Sequence, residues 1–345
     1  MSRILFIDFT CDLTHNSIVD RPIGASEFMY YATLGKLSKE LTDISFLCFN
    51  KGLGNTIIDT IEYKNVGEID EFPFKEEDIV IIQRLFPNLD ILLKITSKNI
   101  FLTQHDYDFN AIFTQFQTAE NKMKLLPYVY SNKNIRFIFN SEFSKKYITD
   151  NLNQYQFSLE TDRINVLPNF IFKEYFKKRK NIKKNKYQLV YASAWNKGIQ
   201  HILRIFYFIV QRDPDFELVL MSPGYEYQNY AGLQSQLEKN SNITILGPTD
   251  KDKYCKIIQE SACVFAPPFP ETFGCVFTEA YYLGTPVIAD YRSGAVVEIV
   301  GRENIANYDD LEYTYRKLLE IVKKKVELNP RFLFDINRWK QILNI

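Results

Sequence analysis

The clearest alternation of apolar and polar positions runs from Val264 to Asp290. An apolar run, Val264-Phe265-Ala266, stops at Pro267-Pro268, and Glu271 lies in the turn beyond it. Gly274 then opens a segment in which Val276, Ala280 and Leu283 recur at i, i+4 and i+7. That spacing puts them on one helix face and predicts a helix packed on a sheet. Gly284 ends the helix, and Pro286-Val287-Ile288-Ala289 reads as the next buried parallel strand. Short apolar runs recur along the whole chain, at 4–7, 44–48, 60–63, 79–82, 100–103, 135–139, 164–167, 189–192, 216–221 and 243–246. Helical stretches lie between several of them: Phe28, Tyr31, Ala32 and Leu34 follow Ser26, a candidate N-cap, and Ile199, Ile202, Leu203 and Phe206 share one face. Tyr254 and Ile257 are expected to begin a further helix, and Phe334, Ile336, Trp339, Ile342 and Leu343 give residues 331–345 helical spacing. Strands alternating with helices predict α/β architecture with parallel sheets.

At 345 residues the chain is long enough for two such domains, each with its own core. The 42 Lys and Arg balance the 42 Asp and Glu, which argues against a nucleic-acid partner held by bulk charge. The five cysteines, Cys11, Cys48, Cys255, Cys263 and Cys275, lack C-x-x-C spacing and suit free thiols in a reducing cytoplasm. Met1-Ser2-Arg3 leads straight into the first apolar run, so a signal peptide is not expected, and no run approaches transmembrane length. Residues 176–186, FKKRKNIKKNK, read as an exposed basic linker; an anionic-lipid patch is the other reading.

Helix-start amides attract anions, and a glycine there lets a phosphate approach the backbone. Gly274 therefore marks a candidate phosphate site. Glu279, about one turn further on, stands where a carboxylate could accept the hydroxyls of a ribose. An isolated pair of glutamates would more simply be a cap and a solvated helix residue. Here, however, Glu271, seven residues, Glu279, Ala280, Gly284, Pro286 and Val287 together resemble the E-x(7)-E signature of retaining GT-B glycosyltransferases, most closely glycosyltransferase family 4.

The resemblance implies a GT-B fold: two Rossmann-like domains facing a central cleft, with a C-terminal helix crossing back to the first domain. It places the acceptor-side domain at 1–172, with the helix at 331–345, and the nucleotide-sugar domain at 187–330. It implies that Glu271 contacts the donor sugar, that Glu279 binds the ribose, and that Lys197, in the strand-loop-helix Ser193-Ala194-Trp195-Asn196-Lys197-Gly198, lies on the diphosphate. Many members carry an arginine a few residues earlier, where Ser193 or a neighbour stands in this chain. Phe273, Gly274, Cys275 and Val276 fall at the donor-binding helix start, Gly247 in the loop against the base, and Gly24 in the Gly loop facing the phosphates. The family usually has paired glycines at Gly24-Ala25 and at Gly294, and a glycine at Phe170. His105, at the end of the 100–103 strand, matches a His-Asp found in many members and is the third catalytic candidate, with Lys197 and Glu271.

Asp106-Tyr107-Asp108, Asp213-Pro214-Asp215 and Asp250-Lys251-Asp252 match the D-x-D metal motif of GT-A enzymes. Three such triplets in one chain argue that none is diagnostic, and neither metal nor cofactor is expected. The activity implied is transfer of a hexose-type sugar from a UDP- or GDP-sugar to a hydroxyl of a glycan, lipid-linked or small-molecule acceptor, with retention and without metal. A UDP-sugar epimerase of the same fold and a non-catalytic nucleotide-sugar-binding protein are the alternatives. The protein is expected in the cytoplasm, with peripheral membrane contact possible.

Overall fold

The computed structural model describes residues 3–19, 23–84, 89–105, 119–154, 156–221, 230–247 and 249–345, with the side chains of 119–123 and 126 excepted. The chain forms two compact units. The first comprises Met1–Ile18, Ala25–Pro168 and Asp335–Ile345; the second comprises Val19–Gly24 and Asn169–Phe334.

The first unit is built on β1 (Arg3–Ile7), β2 (Ser45–Asn50), β3 (Thr56–Ile58), β4 (Ile61–Asn65), β5 (Ile79–Gln83), β6 (Asn99–Gln104), β7 (Ile135–Phe139) and β8 (Ile164–Val166). Their order in the sheet is β3-β4-β2-β1-β5-β6-β7-β8. All neighbours are parallel except the β3–β4 hairpin, which the alternation pattern does not foretell. Its helices are α1 (Ala25–Glu40), α2 (Leu89–Lys94), α3 (Ala119–Ser131) and α4 (Glu142–Gln154). The central strands β1, β2, β5, β6 and β7 are buried on both faces, as strands covered on both sides require. One face, with Leu5, Ile7, Val80, Ile82, Leu102, Phe137 and Phe139, forms a continuous core with α3 and α4. Ser26 does not cap α1: the helix already begins at Ala25, and the Ser26 hydroxyl donates to Glu27 Oε2 at 2.9 Å. Ser141 does cap α4, its Oγ accepting from the Ser144 amide at 2.9 Å.

The second unit carries β9 (Asn185–Tyr191), β10 (Glu217–Met221), β11 (Ile243–Leu246), β12 (Ser261–Phe265), β13 (Val287–Asp290) and β14 (Ile305–Ala306) in the parallel order β11-β10-β9-β12-β13-β14. Around it lie α5 (Ile199–Val210), α6 (Ala231–Leu237), α7 (Lys251–Glu260), α8 (Cys275–Leu283), α9 (Val296–Val300) and α10 (Leu311–Ile321). Ile199, Ile202, Leu203 and Phe206 of α5 are buried against the sheet with Leu189, Tyr191, Leu218 and Leu220. The basic segment is not a bare linker. Phe176 is 3% exposed, Lys184 Nζ donates to Ser261 O and Thr285 Oγ1 at 3.0 and 2.8 Å, and its last residues begin β9.

The C-terminal helix is shorter than its apolar spacing suggests. It is α11 (Ile336–Leu343), capped by Asp335, whose Oδ1 accepts from the Asn337 amide at 2.9 Å. Pro330 opens a separate turn before it, and Phe334 is extended, its amide donating to Ile171 O and its ring tilted against Phe172. Phe334 thus belongs to the second unit, whereas α11 with buried Trp339 and Leu343 returns to the first.

Candidate active site

The carboxyl ends of β9 and β12 are neighbours because these two strands pair directly. After β9 the chain passes through buried Ser193 into a single turn, Trp195–Lys197, and reverses at Gly198 with φ +99°. A Cβ at Gly198 would lie 3.0 Å from Pro268 Cδ and 3.1 Å from the Phe269 ring, so glycine allows the two loops to close on each other. This approach brings Lys197 Nζ to 2.8 Å from Glu271 Oε1. The lysine side chain is 39% exposed and the glutamate 12%, so the pair stays partly open to solvent.

Glu271 is fixed by its backbone. Its amide donates to Ser293 O at 3.3 Å, and its carbonyl accepts from the Ala295 amide at 2.9 Å. That partner turn is itself braced: Ser293 Oγ donates to Pro267 O at 2.6 Å, and Asp290, fully buried, accepts from Arg292 Nε at 2.6 Å. Arg292 also pairs with Asp309 at 3.0 Å. Two carboxylates therefore hold this arginine and raise its pKa, chiefly through the Asp290 hydrogen bond, and its role here is to brace the turn.

Three residues beyond Glu271, Gly274 takes φ +84° and starts α8. A Cβ there would stand 2.5 Å from the Phe277 ring. No side chain caps the helix, so its first amides point outward from Cys275 and Val276 with no intrahelical acceptor. Phe273 is turned inward, edge-on to Phe332 at 5.7 Å, and can offer a ligand only its backbone. Cys275 is also buried: Asn169 Nδ2 donates to its Sγ at 3.3 Å, yet desolvation pushes the thiol up to about 12, so it is no nucleophile despite its place at a helix start.

The predicted packing face of α8 needs correction. Ala280 and Leu283 are buried, but Val276 is only half-buried, while Phe277, Thr278, Glu279 and Tyr281 are enclosed. The helix packs against α7 and α9 as well as the sheet, so periodicity against one surface does not describe it. Glu279 is consequently not a solvated helix residue. It is 8% exposed, the Tyr254 hydroxyl donates to Oε2, and Lys251 Nζ lies 3.4 Å from Oε1. Both partners come from the start of α7, one turn earlier than the sequence pattern suggested, because Asp250 caps that helix by accepting from the Lys253 amide at 2.7 Å. Sequence reasoning noted Tyr254 only as a helix residue; the i, i+3 relation of Lys251 to Tyr254 just after the β11 loop was the available signal.

The remaining candidates come from other segments. Gly247 sits in the loop after β11 with open space where a Cβ would go. His105 stands, half-buried, at the carboxyl end of β6 in the first unit. Gly24 immediately precedes α1. Asp250 is a helix cap, Asp252 pairs with Lys177 at 3.1 Å, and Asp213 accepts from the Asp215 amide in a turn, which accounts for two of the D-x-D triplets as structural. The third, 106–108, lies outside the described residues apart from the preceding strand, as do Arg21-Pro22, Pro223-Gly224 and Pro248. Among the described residues no cluster of three His, Cys, Asp or Glu could hold a metal, and no helix is long and apolar enough to cross a membrane.

Residues 172–329, which contain the Lys197–Glu271 pair and all of α8, match the family model for glycosyl transferases group 1. The chain carries a group 1 glycosyltransferase domain. A curated relative, D-inositol 3-phosphate glycosyltransferase of Corynebacterium diphtheriae, is 29% identical over 113 residues, which is 31% of this chain and 26% of the relative. The match thus spans about a quarter of that protein's length. Solved structures extend the likeness beyond the group 1 domain to the whole chain. Sucrose-phosphate synthase of Thermosynechococcus elongatus superposes with a TM-score of 0.64 over 100% of this chain and 97% of its own, at 15% identity. WaaG, a glycosyltransferase of lipopolysaccharide biosynthesis, gives 0.62 over 92% and 90%, at 13% identity. A TarM variant of S. aureus in complex with fondaparinux, α-GlcNAc-glycerol and UDP gives 0.57 over 84% and 61%, at 14% identity. The group 1 domain and its partner unit together make the fold GT-B.

Proposed function

We propose that the protein is a metal-independent glycosyltransferase that moves a hexose-type sugar from a nucleoside diphosphate sugar to an acceptor hydroxyl with retention of anomeric configuration. The observation that carries this reading is the Lys197–Glu271 pair at 2.8 Å, set at the carboxyl ends of adjacent strands and three residues before the uncapped, glycine-led start of α8. An anion at that helix start would meet backbone amides, the positive end of the helix dipole and the Lys197 ammonium. A departing diphosphate is such an anion, and charge placed where it develops lowers the barrier. Glu271, held by Lys197, would orient the sugar hydroxyls; Glu279 would accept the ribose hydroxyls. Phe273, Cys275 and Val276 would act through their backbone, with Ser193 and Gly247 beside the donor. The first unit would receive the acceptor, with His105 as its catalytic candidate, and Gly24 would face the donor phosphates.

UDP is the donor nucleotide to test first, since the TarM relative is described with UDP bound. Isothermal titration should detect UDP or GDP binding without divalent cation, and Glu279→Ala should weaken it by about 10-fold or more, the worth of a hydrogen bond to a charged group. Transfer should survive excess EDTA, and NMR of the fresh glycoside should show the donor's anomeric configuration. Activity lost in EDTA and restored by manganese, with an inverted product, overturns the reading.

A further inference from the structure

Glu279 is held from two sides by residues that no donor contact requires. Tyr254 donates its hydroxyl to Oε2, and Lys251 approaches Oε1 at 3.4 Å. Lys251 is itself confined, its ammonium 4.1 Å from the centroid of the buried Phe176 ring and 5.0 Å from that of Tyr254. Burial, reinforced by the charge of Glu279, raises the Tyr254 pKa well above 10, so this hydroxyl remains a donor at every physiological pH. An ionised carboxylate offers about four acceptor positions. One on each oxygen is met from α7, which leaves one on each oxygen for a second pair of donors, and the side chain keeps 10% of its surface open. Two donors about one carboxylate width apart are what a cis-diol presents.

We infer that Tyr254 and Lys251 are positioning residues that lock the Glu279 carboxylate in the orientation needed to read both hydroxyls of a ribose, and so set the protein's preference for ribonucleotide over deoxyribonucleotide donors. The inference rests on the proposed donor reading but is separable from it. Tyr254 lies on a different helix from Glu279, so substituting it changes the carboxylate's freedom without touching the amides of α8 or Lys197. Phe176 extends the same device into the basic segment, because its ring is the wall against which Lys251 is held.

The test measures, by titration calorimetry, the affinities of UDP, 2′-deoxy-UDP and 3′-deoxy-UDP for wild type, Tyr254→Phe and Lys251→Met, with GDP and its deoxy forms used if GDP binds better. Wild type should prefer the ribonucleotide by about 10-fold or more per hydroxyl, the scale of a charged hydrogen bond. In Tyr254→Phe that ratio should fall to about threefold or less, while affinity for the deoxy forms stays within about twofold of wild type. Lys251→Met, which keeps the stem against Phe176, should reduce the ratio in the same direction, and it carries the test if Tyr254→Phe fails to fold. An equal loss for ribo and deoxy forms, or an unchanged ratio in both variants, overturns the positioning role. A wild type that binds UDP with no preference for the hydroxyls overturns the assignment of Glu279 itself, and an absence of all nucleotide binding overturns the donor reading.

Discussion

The carboxyl edges of the two parallel sheets put their polar residues to different uses. In the first unit Asp8, at the end of β1, accepts from the Thr10 amide and hydroxyl at 2.8 and 2.6 Å and from the Tyr31 hydroxyl at 3.2 Å. Tyr30 is spent on the carbonyls of Ile7 and Ile81, and His15 on Tyr63 and Asp59. Only the Thr10 bonds close a turn; the others tie α1 and the loop after β1 to the sheet, and Asp8, Tyr30, Tyr31 and His15 are all buried. In the second unit Lys197, Glu271 and Glu279 come from separate loops and a helix, and their partners are one another or residues of a neighbouring helix. Left-handed glycines bring the backbones close enough for this convergence. Polar side chains buried and paired among themselves stabilise a fold. Polar residues that are brought together from distant segments and kept partly accessible are arranged to meet a ligand.

The largest expected effect bears directly on that contrast. Lys197→Ala should lower kcat/KM by about 10²–10³-fold, the scale for removing one preorganised donor from developing charge, with kcat itself falling. Initial rates with the nucleotide sugar decide it. A rise in KM alone would make the lysine a uniform binding contact and reduce the edge of the second unit to a docking platform.

A smaller effect should separate two glycines. Gly274→Ala forces a φ of +84° on a residue with a Cβ 2.5 Å from the Phe277 ring, at a cost of about 1–3 kcal/mol, read as a lower Tm together with weaker nucleotide binding. Gly54→Ala, in the first unit with nothing within 4 Å of the added Cβ, should leave both unchanged. Equal effects at the two positions would remove the steric basis for the tight turn at α8.

The smallest expected effect is a pH dependence confined to the first unit. Burial holds the His15 pKa below its ordinary 6.5, against the opposing pull of Asp59. The unfolded chain then binds the proton more readily than the folded one, so the stabilisation is complete above the unfolded value and is lost as pH falls through about 6.5 toward the folded pKa. Urea midpoints should decline over that window in wild type and flatten in His15→Gln. Nucleotide affinity, a property of the second unit, should not follow the same titration; if it does, the two edges are coupled.

The sequence by itself determined the α/β class, nearly every strand, and the candidate donor motif. A buried parallel strand needs apolar side chains on both faces, and a helix start beside a ligand needs glycine; both requirements show in residue type at short range. The turns after β9 and β12 were legible for the same reason. Short-range pattern could not reveal the environment of α8, where Val276 proved less enclosed than Glu279, because a helix covered by two others as well as a sheet has no single apolar stripe. Nor could it place the start of the last helix, where a proline turn and the Asp335 cap override an apolar spacing that already includes Phe334. Only the tertiary structure decided that Lys197 meets Glu271 and that Tyr254 and Lys251 meet Glu279. Those pairs are separated by 74, 25 and 28 residues; they meet because strand order in the sheet, which local residue pattern does not encode, sets which loops become neighbours.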